Sequence, residues 1–371
     1  MSEPVSEPLP APLPPSLPEA DGAPTSAAAP VRLVFHIGAG KTGTSSIQFT
    51  LRQGQEALQA RGVWYLGLML EHAPVKHFQW QVFGGPEQFH QLADDEGSRQ
   101  LMIVLDDTVR RARAAGVHTL IWSSESFFDR NAKVTGPLHR LIEQGVDVQL
   151  LAYVRRHDAW ARSAYAQWAL KHKTTPGPVL PFPQWVARRR PLFAPTLQSL
   201  TQRFPGRLQV RNFDAAGDTV ADFMQVLGLA DAGLQPVTEN VTPDDTELLM
   251  RALFNDGIKE KALPMLFDRV VGRHTRFDQG PEDWLRQLMP DNAQLAAVVQ
   301  DCAEDRQQLD ALLLADGQSP IATEAKTFRP AQVDESRLLM ALARLAVFQM
   351  RRIENLEGRL KKLEPMPEIT V

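Results

Sequence analysis

The stretch that decides the fold is Val31-Arg-Leu-Val-Phe-His-Ile-Gly-Ala-Gly-Lys-Thr-Gly-Thr-Ser-Ser-Ile-Gln48. Its apolar residues 33–37 predict a buried strand. After the glycines, Ile47, Leu51 and Leu58 fall on one face of an amphipathic segment, which predicts a helix. A strand, a glycine-rich turn and a helix form a site for an anion. The N–H groups at the helix start point at the ligand, and the helix dipole adds partial positive charge.

The turn also carries side chains that suit an anionic ligand. Lys41 supplies a full positive charge, and hydroxyl groups follow at Thr42, Thr44, Ser45 and Ser46. The alternative is an ordinary strand-to-helix turn, but a lysine among three glycines and four hydroxyls is rare in such turns. The segment is not a Walker A loop, because the first glycine of that motif would have to stand at Phe35.

The order Gly-Lys-Thr-Gly-Thr-Ser-Ser, residues 40–46, resembles the 5′-phosphosulfate loop of sulfotransferases, usually Pro-Lys-x-Gly-Thr-Thr. Gly40 stands in place of the proline and Ser45 in place of the second threonine. The resemblance implies that this loop holds the 5′-phosphosulfate of 3′-phosphoadenosine 5′-phosphosulfate (PAPS). The residues it assigns to PAPS are Gly40, Lys41, Thr42, Gly43, Thr44 and Ser45. Ser46 stands where family members often have an aromatic residue on adenine, so the adenine contact has no assigned residue.

A second pattern resembles the same family. The apolar residues 148–154 predict another buried strand, which ends at Arg155 and Arg156. Sulfotransferases bind the 3′-phosphate of PAPS with an arginine at a strand end and a serine eight positions later. Arg155 and Ser163 have that spacing, and a guanidinium can bind a phosphate through two parallel hydrogen bonds. The alternatives are Arg156 as the phosphate ligand, and a charged helix start in which Ser163 is only a cap.

The rest of the pattern predicts an α/β fold with a P-loop-like parallel sheet flanked by helices. Strands at 118–122 and 207–213 alternate with helices at 95–115, 183–203 and 218–227. Residues 101–107 could instead be a Walker B strand with an aspartate for Mg²⁺, but Leu101, Val104 and Leu105 have helical spacing. We expect no metal site, since sulfuryl transfer needs no metal.

Composition sets the domain organisation and the location. The chain has 371 residues, 43% of them hydrophobic, which is enough to bury a full core. We expect a disordered Pro- and Ala-rich tail over 1–30, a sulfotransferase-like α/β domain over 31–330 with a helical C-terminal part, and a C-terminal helix over 331–371. No apolar run could span a membrane, and the tail lacks a signal-peptide pattern. The expected location is the cytoplasm, where bacteria make PAPS.

Net charge and cysteine content bear on the partners. The net charge of −4 gives no reason to expect nucleic acid as a partner. The single cysteine, Cys302, excludes an internal disulfide and a zinc site built from several cysteines. The resemblance to sulfotransferases implies PAPS and an acceptor with a free hydroxyl as partners. A homodimer through residues 334–363 is one of two interpretations of the last helix.

The last predicted helix, 334–363, has an apolar heptad pattern. The a and d positions are Leu339, Leu342, Ala346, Ile353, Leu356, Leu360 and Leu363, with Gln349 as the polar exception. One interpretation is a short coiled coil that forms a homodimer. The other is a helix packed on the body of its own domain. A pattern of about four heptads does not decide between them.

The catalytic base is predicted from where acidic residues and histidines fall. An acceptor hydroxyl must lose its proton as the sulfuryl group arrives, so a carboxylate or imidazole should lie beside it. Glu125 is the first candidate, because it follows a strand at the edge where ligands bind in α/β sheets. His77, in a loop that could cover the acceptor, is the second. The alternatives are a capping or salt-bridged role for Glu125 and a surface or packing role for His77. We expect His36, inside the first strand, to be a core residue.

The sequence therefore predicts a PAPS-dependent sulfotransferase whose acceptor hydroxyl belongs to a glycan or a small molecule. Lys41 would stabilise charge on the departing phosphate oxygen, and Glu125 or His77 would take the proton. Carbohydrate sulfotransferases use a glutamate and small-molecule ones a histidine, so Glu125 as the base favours a glycan. Two other functions stay open. A P-loop kinase or nucleoside-triphosphate hydrolase would need Mg²⁺ and ATP, and a catalytically inactive assembly module would act through residues 334–363.

Overall fold

The fold is built around a five-stranded parallel sheet. The computed structural model describes residues 30–82, 85–234, 245–256, 259–261, 263–271, 285, 288–330 and 334–361. The strands are β1 (Arg32–His36), β2 (Val63–Tyr65), β3 (Thr119–Ser123), β4 (Asp147–Val154) and β5 (Leu208–Asn212). Their order across the sheet is β2-β3-β1-β4-β5, and every neighbouring pair is parallel. The predicted α/β class with a P-loop-like parallel sheet is confirmed.

Helices fill the connections between the strands. They are α1 (Thr44–Gln53), α2 (Gln55–Gln59), α3 (Gly85–Gln91), α4 (Asp94–Ala114), α5 (Ala132–Glu143), α6 (His157–Tyr165), α7 (Phe182–Arg188), α8 (Ala194–Arg203), α9 (Phe213–Ala216) and α10 (Thr219–Val226). Short 3-10 turns lie at Gln79–Gln81 and Glu125–Phe127, and a π-helical turn lies at Ala166–Lys171. Strand β1, the turn that follows it and helix α1 thus form the predicted strand–turn–helix unit.

Both faces of the sheet are apolar, because successive side chains of each strand point to opposite faces. Leu33 and Phe35 of β1 belong to a large apolar cluster that includes residues of α4 and α5. Val34, between them in sequence, belongs to a second cluster that includes residues of α1 and α10. Burial on both faces fixes the strand register and holds the turn after β1 on a rigid frame.

Helix α4 decides between the two interpretations of residues 101–107. Leu101, Val104 and Leu105 are fully buried on one side of the helix. Asp107 lies in the second half of α4, which leads to the amino end of β3. It is therefore not at the carboxyl end of a strand, where a Walker B aspartate belongs, and the helical prediction is confirmed.

The C-terminal part is helical and shares its core with the sheet. Its helices are α11 (Asp245–Asp256), α12 (Pro264–Val271), α13 (Asn292–Asp301), α14 (Ala303–Ala315) and α15 (Glu335–Lys361). Leu309 and Leu313 of α14 are fully buried in the same apolar cluster as Phe35 of β1. Among the described residues, no helix is long and apolar enough to cross a membrane.

One helix prediction was wrong in extent. The single helix predicted over 183–203 is two helices, α7 and α8, separated by residues 189–193. Pro191 explains the break, because it has no N–H donor and restricts the residue before it to extended conformations. The predicted disordered tail, apart from Pro30, lies outside the described residues.

Helix α15 packs on its own domain through one face. Leu338, Ala341 and Leu345 contact a small apolar cluster with Met250 and Phe267. These three residues are not the a and d residues of the heptad pattern. Packing on the body therefore involves a different face from the one that a coiled coil would use.

Candidate functional site

The candidate site lies at the carboxyl ends of β1 and β4, which are neighbours in the sheet. After β1 the chain proceeds to β2 at one edge of the sheet, and after β4 it proceeds to β5 at the other edge. Connections that leave neighbouring strands in opposite directions open a crevice between them, where α/β proteins bind ligands. Lys41 follows β1 and Arg155 follows β4, so both predicted motifs lie at this crevice.

The two motifs are in direct contact. Arg155 Nη1 donates a hydrogen bond to the Lys41 carbonyl oxygen at 3.3 Å. Trp160 Nε1, from α6, donates to the Gly40 carbonyl oxygen at 2.8 Å. These bonds join segments 114 and 120 positions apart in the chain. The structure therefore brings the predicted 5′-phosphosulfate loop and the predicted 3′-phosphate arginine into one site.

The backbone of the turn after β1 is unusual at two positions. Lys41 has a φ of 70° and Gly43 a φ of 81°. A Cβ atom at Gly43 would also lie 3.2 Å from Phe213 and Thr219, so this position requires glycine. Lys41 is not glycine, and non-glycine residues in this conformation are uncommon and concentrate at functional sites. The buried Thr42 hydroxyl donates to the Ala39 carbonyl oxygen and helps to hold the turn.

Gly40 departs from the proline of the sulfotransferase pattern, and the structure gives a physical reason. A Cβ atom at Gly40 would lie 3.2 Å from two ring atoms of Trp168. Glycine thus lets the indole pack directly on the turn. Trp168 lies in the π-helical turn that follows α6, and π-helical turns are frequent at functional sites.

Positive charges converge on the turn. Burial, followed by the charges of Lys171 and Arg155, lowers the pKa of Lys41 to about 8, while Glu125 acts in the opposite direction. Burial also lowers the pKa values of Lys171 and Arg155. We call Lys41, Arg155 and Lys171 the cation cluster. An anion bound among these groups would favour their charged forms. Sequence analysis missed Lys171, because only the path of α6 and its π-helical turn brings it to Lys41.

Two buried donor groups at the site have no hydrogen-bond partner among the described residues. They are Thr44 Oγ1, at the start of α1, and Arg155 Nε. Arg155 Nε lies 3.7 Å from an oxygen of Asp214, and the guanidinium stacks over the Phe213 ring at 4.8 Å. Buried polar groups are normally hydrogen-bonded, so these donors fit phosphate or sulfate oxygens. The predicted ligand PAPS carries such groups at both ends of its ribose.

Arg156, the competing phosphate ligand, is engaged elsewhere. Its Nε donates to Asp158 Oδ1 at 2.7 Å and its Nη2 to Asp158 Oδ2 at 3.1 Å. The fully buried Asp158 carboxylate also accepts from the Lys326 backbone N–H at 2.6 Å, and Arg156 donates to the Glu324 carbonyl oxygen. Arg156 is thus a structural link to the C-terminal part, which leaves Arg155 as the arginine that faces the turn.

The two remaining predicted cofactor residues lie on the helices beside the turn. Ser45 is in the first turn of α1, and Ser163 is in α6, two turns after Arg155. Both side chains are half-buried. Within the described part of the chain, Ser163 forms no side-chain hydrogen bond, so its predicted phosphate role depends on the motif spacing alone.

A cavity of about 850 Å³ opens beside the turn. Its lining includes Gly40, Glu125, Trp160, Trp168, His90 and Arg189. Glu125 lies in the 3-10 turn that follows β3, at the sheet edge where sequence analysis expected it. Gln48 Nε2, from α1, donates to Glu125 Oε2 at 2.8 Å and to the Ser123 carbonyl oxygen at 3.1 Å. Gln48, which sequence analysis did not identify, therefore orients the carboxylate at the cavity.

His77 does not lie at this cavity. Its Nε2 is 3.2 Å from an Asp107 oxygen on α4, in the half of that helix that leads away from the carboxyl edge of the sheet. Asp107 also pairs with Arg110 and Arg111, so His77 belongs to a charged group on the surface of α4. The structure therefore does not bring His77 together with Lys41 and Arg155.

The histidine that lines the cavity is His90, at the end of α3. Burial, with the nearby charges of Arg130 and Lys133, lowers the pKa of His90 to about 4. Its buried Nε2 has no hydrogen-bond partner in the described part of the chain. A neutral imidazole can accept a proton, but a pKa this low makes it a weak base. No sequence signal distinguished His90 from the chain's other histidines.

His36 is a core residue, as sequence analysis expected. It is fully buried, and its Nδ1 lies 2.8 Å from the Ser123 hydroxyl. Burial lowers its pKa to about 3, so the ring is neutral at physiological pH. Its position inside the sheet keeps it away from an acceptor in the cavity.

Comparisons with known proteins add little to this description. No protein-family model matches the chain, and no curated protein is significantly similar to it. One similar solved structure belongs to work on "the PezAT chromosomal toxin-antitoxin system of the human pathogen Streptococcus pneumoniae". The likeness has a TM-score of 0.23 and 14% identity, and it covers 62% of this chain and 86% of that chain. At this TM-score the likeness carries no information about function.

Proposed function

We propose that this protein is a sulfotransferase that moves a sulfuryl group from PAPS to an acceptor hydroxyl. One observation carries the proposal: Arg155, at the end of β4, contacts the glycine-rich turn of Lys41, at the end of β1. A turn that holds one anionic group and an arginine that binds a second suit a nucleotide with phosphate groups at its 5′ and 3′ positions. PAPS has this arrangement.

The proposed reaction uses groups on both sides of the crevice. The acceptor hydroxyl lies in the cavity and attacks the sulfur of PAPS in line with the bridging oxygen. A new oxygen–sulfur bond forms, the bond from sulfur to the bridging oxygen breaks, and Glu125 takes the hydroxyl proton. Protonated Lys41 stabilises the negative charge on the bridging oxygen, which leaves with adenosine 3′,5′-bisphosphate.

The acceptor is a molecule with a free hydroxyl, either a glycan or a small molecule. The cavity wall combines the aromatic rings of Trp160 and Trp168 with the Glu125 carboxylate. Such a lining suits an acceptor with an apolar ring face and polar edges, with a few polar groups to fix its orientation. This composition, together with a carboxylate as the base, favours a glycan. A cytoplasmic location, where PAPS is made in bacteria, is part of the proposal.

The kinase and assembly-module alternatives make different predictions about ligands. A P-loop kinase or nucleoside-triphosphate hydrolase should bind ATP with Mg²⁺. An inactive assembly module should bind no nucleotide. Thermal unfolding is measured with adenosine 3′,5′-bisphosphate, with ATP plus Mg²⁺, and without ligand. These measurements separate the three cases, because a ligand raises the unfolding temperature only if the folded protein binds it.

The first prediction concerns selectivity for the 3′-phosphate. Without metal, adenosine 3′,5′-bisphosphate should raise the unfolding temperature much more than AMP, because Arg155 pairs only with the 3′-phosphate. Arg155→Ala should remove most of this preference, a loss of about 2–5 kcal/mol in binding free energy if the ion pair is well desolvated. Isothermal titration calorimetry with both nucleotides measures it directly.

Arg156→Ala is the matched control for that prediction. It removes a neighbouring arginine and leaves the buried Asp158 carboxylate without its cationic partner, so the unfolding temperature should fall. The preference for adenosine 3′,5′-bisphosphate over AMP should remain. Equal stabilisation of the wild type by the two nucleotides would contradict the assignment of PAPS.

A second prediction concerns pH. Since the pKa of Lys41 is about 8, Lys41 is charged below that pH and becomes neutral as pH rises above it. A bound phosphate raises this pKa, so binding above about pH 8 must take up a proton. Affinity for adenosine 3′,5′-bisphosphate should be constant near pH 7 and then fall, at most about tenfold per pH unit. Calorimetric titrations between about pH 7 and pH 9.5 measure the decline.

Lys41→Arg is the control for the pH prediction, because a guanidinium stays charged over this whole range. Its affinity for the nucleotide should not decline above pH 8. The phosphates of the ligand do not contribute to this decline, because their second pKa is about 6 and their charge changes little above about pH 7. A wild-type affinity that stays flat to pH 9.5 would contradict either the lowered pKa of Lys41 or its contact with the anion.

A further inference from the structure

Helix α15 presents an apolar face that its own domain does not cover. The exposed fractions are 73% for Leu339, 43% for Leu342, 54% for Ile353, 47% for Leu356 and 59% for Leu360. Ala346 is also exposed. We call this row of residues, 339–360, the seam. Exposed leucine and isoleucine residues in a continuous row are an interaction surface rather than scattered surface residues.

The spacing of the seam identifies the kind of partner it fits. Its residues recur at alternating intervals of three and four, with Gln349 completing the series. Between residues 351 and 361 the large apolar residues are only Ile353, Leu356 and Leu360. Two such residues in every seven is the pattern of a coiled coil, whereas a helix on a globular core needs a wider apolar face. The partner is therefore another helix with a heptad pattern. Ile353, the one β-branched a residue, precedes Leu356 at a d position, and in parallel coiled coils this combination favours two strands.

Charges beside the seam favour a second copy of this chain as that helix. With Leu339 at an a position, Arg352 and Arg359 are at g positions, and Glu357 is at an e position. All three side chains are exposed. In a parallel pair, each g residue faces the e residue of the next heptad on the other helix. Arg352 of each copy then faces Glu357 of the other.

The next heptad repeats the relation in sequence. Arg359 and Glu364 have the same spacing of five residues as Arg352 and Glu357, and Glu364 lies outside the described residues. In an antiparallel pair, g positions face g positions and e positions face e positions. Arginines would then meet arginines and glutamates would meet glutamates. The charge pattern thus attracts a second copy in the parallel orientation and disfavours the antiparallel one.

We infer that the chain forms a parallel homodimer through the seam of α15, with the two copies in register. Packing of α15 on its own domain is compatible with this dimer. The face with Leu338, Ala341 and Leu345 contacts the domain, and the seam lies beside it on the helix surface. Arg352 also donates to the Arg269 carbonyl oxygen at 2.9 Å, which holds this side chain next to the seam. The inference is independent of the reaction that the protein catalyses.

Sedimentation equilibrium or light scattering on the full chain tests the dimer. The wild type should be a dimer at micromolar concentration. Leu356→Glu places an unpaired charge in the seam and should weaken dimerisation at least about a hundredfold. Leu314→Glu is the matched control, because Leu314 on α14 is 62% exposed and lies outside the seam. This control should remain a dimer, and a monomeric wild type would overturn the inference.

Disulfide trapping tests the orientation. Leu342→Cys and Leu356→Cys are made in separate chains, and each is oxidised under mild conditions. Parallel helices in register bring identical d residues together at both positions, so both variants should form cross-linked dimers. Antiparallel helices bring identical residues together only at the symmetry axis, so at most one would. The wild-type chain, whose Cys302 is buried, is the uncrosslinked control.

A charge exchange gives an independent check that does not depend on cysteine chemistry. Arg352→Glu alone should weaken the dimer, because the introduced carboxylate would face Glu357 of the other copy. Adding Glu357→Arg in the same chain should restore it. Cross-linking at only one of the two cysteine positions, or no recovery in the double variant, would overturn the parallel orientation.

Discussion

Lys41→Ala should lower the rate of sulfuryl transfer by about two to three orders of magnitude, the usual effect of removing one transition-state donor. The site concentrates positive charge at Lys41, which burial and the charges of Lys171 and Arg155 make costly to protonate. The negative charge that develops on the bridging oxygen in the transition state attracts the Lys41 ammonium group and offsets this unfavourable free energy. The largest loss should therefore appear in kcat, measured by release of adenosine 3′,5′-bisphosphate at saturating PAPS.

The same variant should not be less stable than the wild type without ligand. Removing a half-buried amine near two other cations relieves repulsion and desolvation, so the unfolding temperature should stay equal or rise. Lys41→Arg should restore turnover only partly, because a planar guanidinium does not replace a compact ammonium group. Near-normal turnover of Lys41→Ala would remove Lys41 from the mechanism.

Glu125→Gln should slow sulfuryl transfer by at least about a hundredfold while leaving nucleotide binding intact. The amide keeps the shape of the carboxylate and can still accept the hydrogen bond from Gln48, but it cannot take the acceptor proton. Turnover and affinity for adenosine 3′,5′-bisphosphate are measured on the same protein preparation. A loss of both would indicate a structural role for Glu125 rather than a role as the base.

Two histidine variants decide whether the carboxylate is the base. His77→Asn should have normal turnover, because His77 pairs with Asp107 away from the cavity. His90→Asn changes the histidine that does line the cavity, and we expect a smaller loss than for Glu125→Gln. If His90→Asn alone abolished turnover, His90 would be the base, and the preference for a glycan acceptor would lose its support.

The sequence was sufficient to predict the parts of this protein that depend on local pattern. The strand, turn and helix around Lys41 could be predicted because burial on both sheet faces and glycine positions leave a clear signal. The same holds for α4, whose apolar spacing distinguished a helix from a Walker B strand. Arg155 was identified by its position at the end of a buried strand, and that strand is β4 in the structure.

The parts that could not be predicted depend on contacts between distant segments. Lys171 comes near Lys41 only because of the path of α6 and its π-helical turn. The role of Gln48 becomes evident only from its hydrogen bond to Glu125, a residue on a different element of the sheet edge. His77 and His90 have similar sequence surroundings, and only the packing of α3 and α4 separates a surface histidine from one at the cavity. The break between α7 and α8 is different, because its cause, Pro191, is local in the sequence and interrupts a helix that the surrounding residues favour.

The link between Arg156, Asp158 and residues 324–326 sets a limit on how the protein can be shortened. The segment that closes on Asp158 comes from the far end of the domain, and Arg162 of α6 also stacks on the Phe328 ring at 4.7 Å. A fragment that stops before residue 324 would retain every strand of the sheet. It would nevertheless leave the buried Asp158 carboxylate with one partner fewer, close in sequence to Arg155. The smallest fragment suited to expression and ligand binding therefore extends past residue 328, well beyond the last strand.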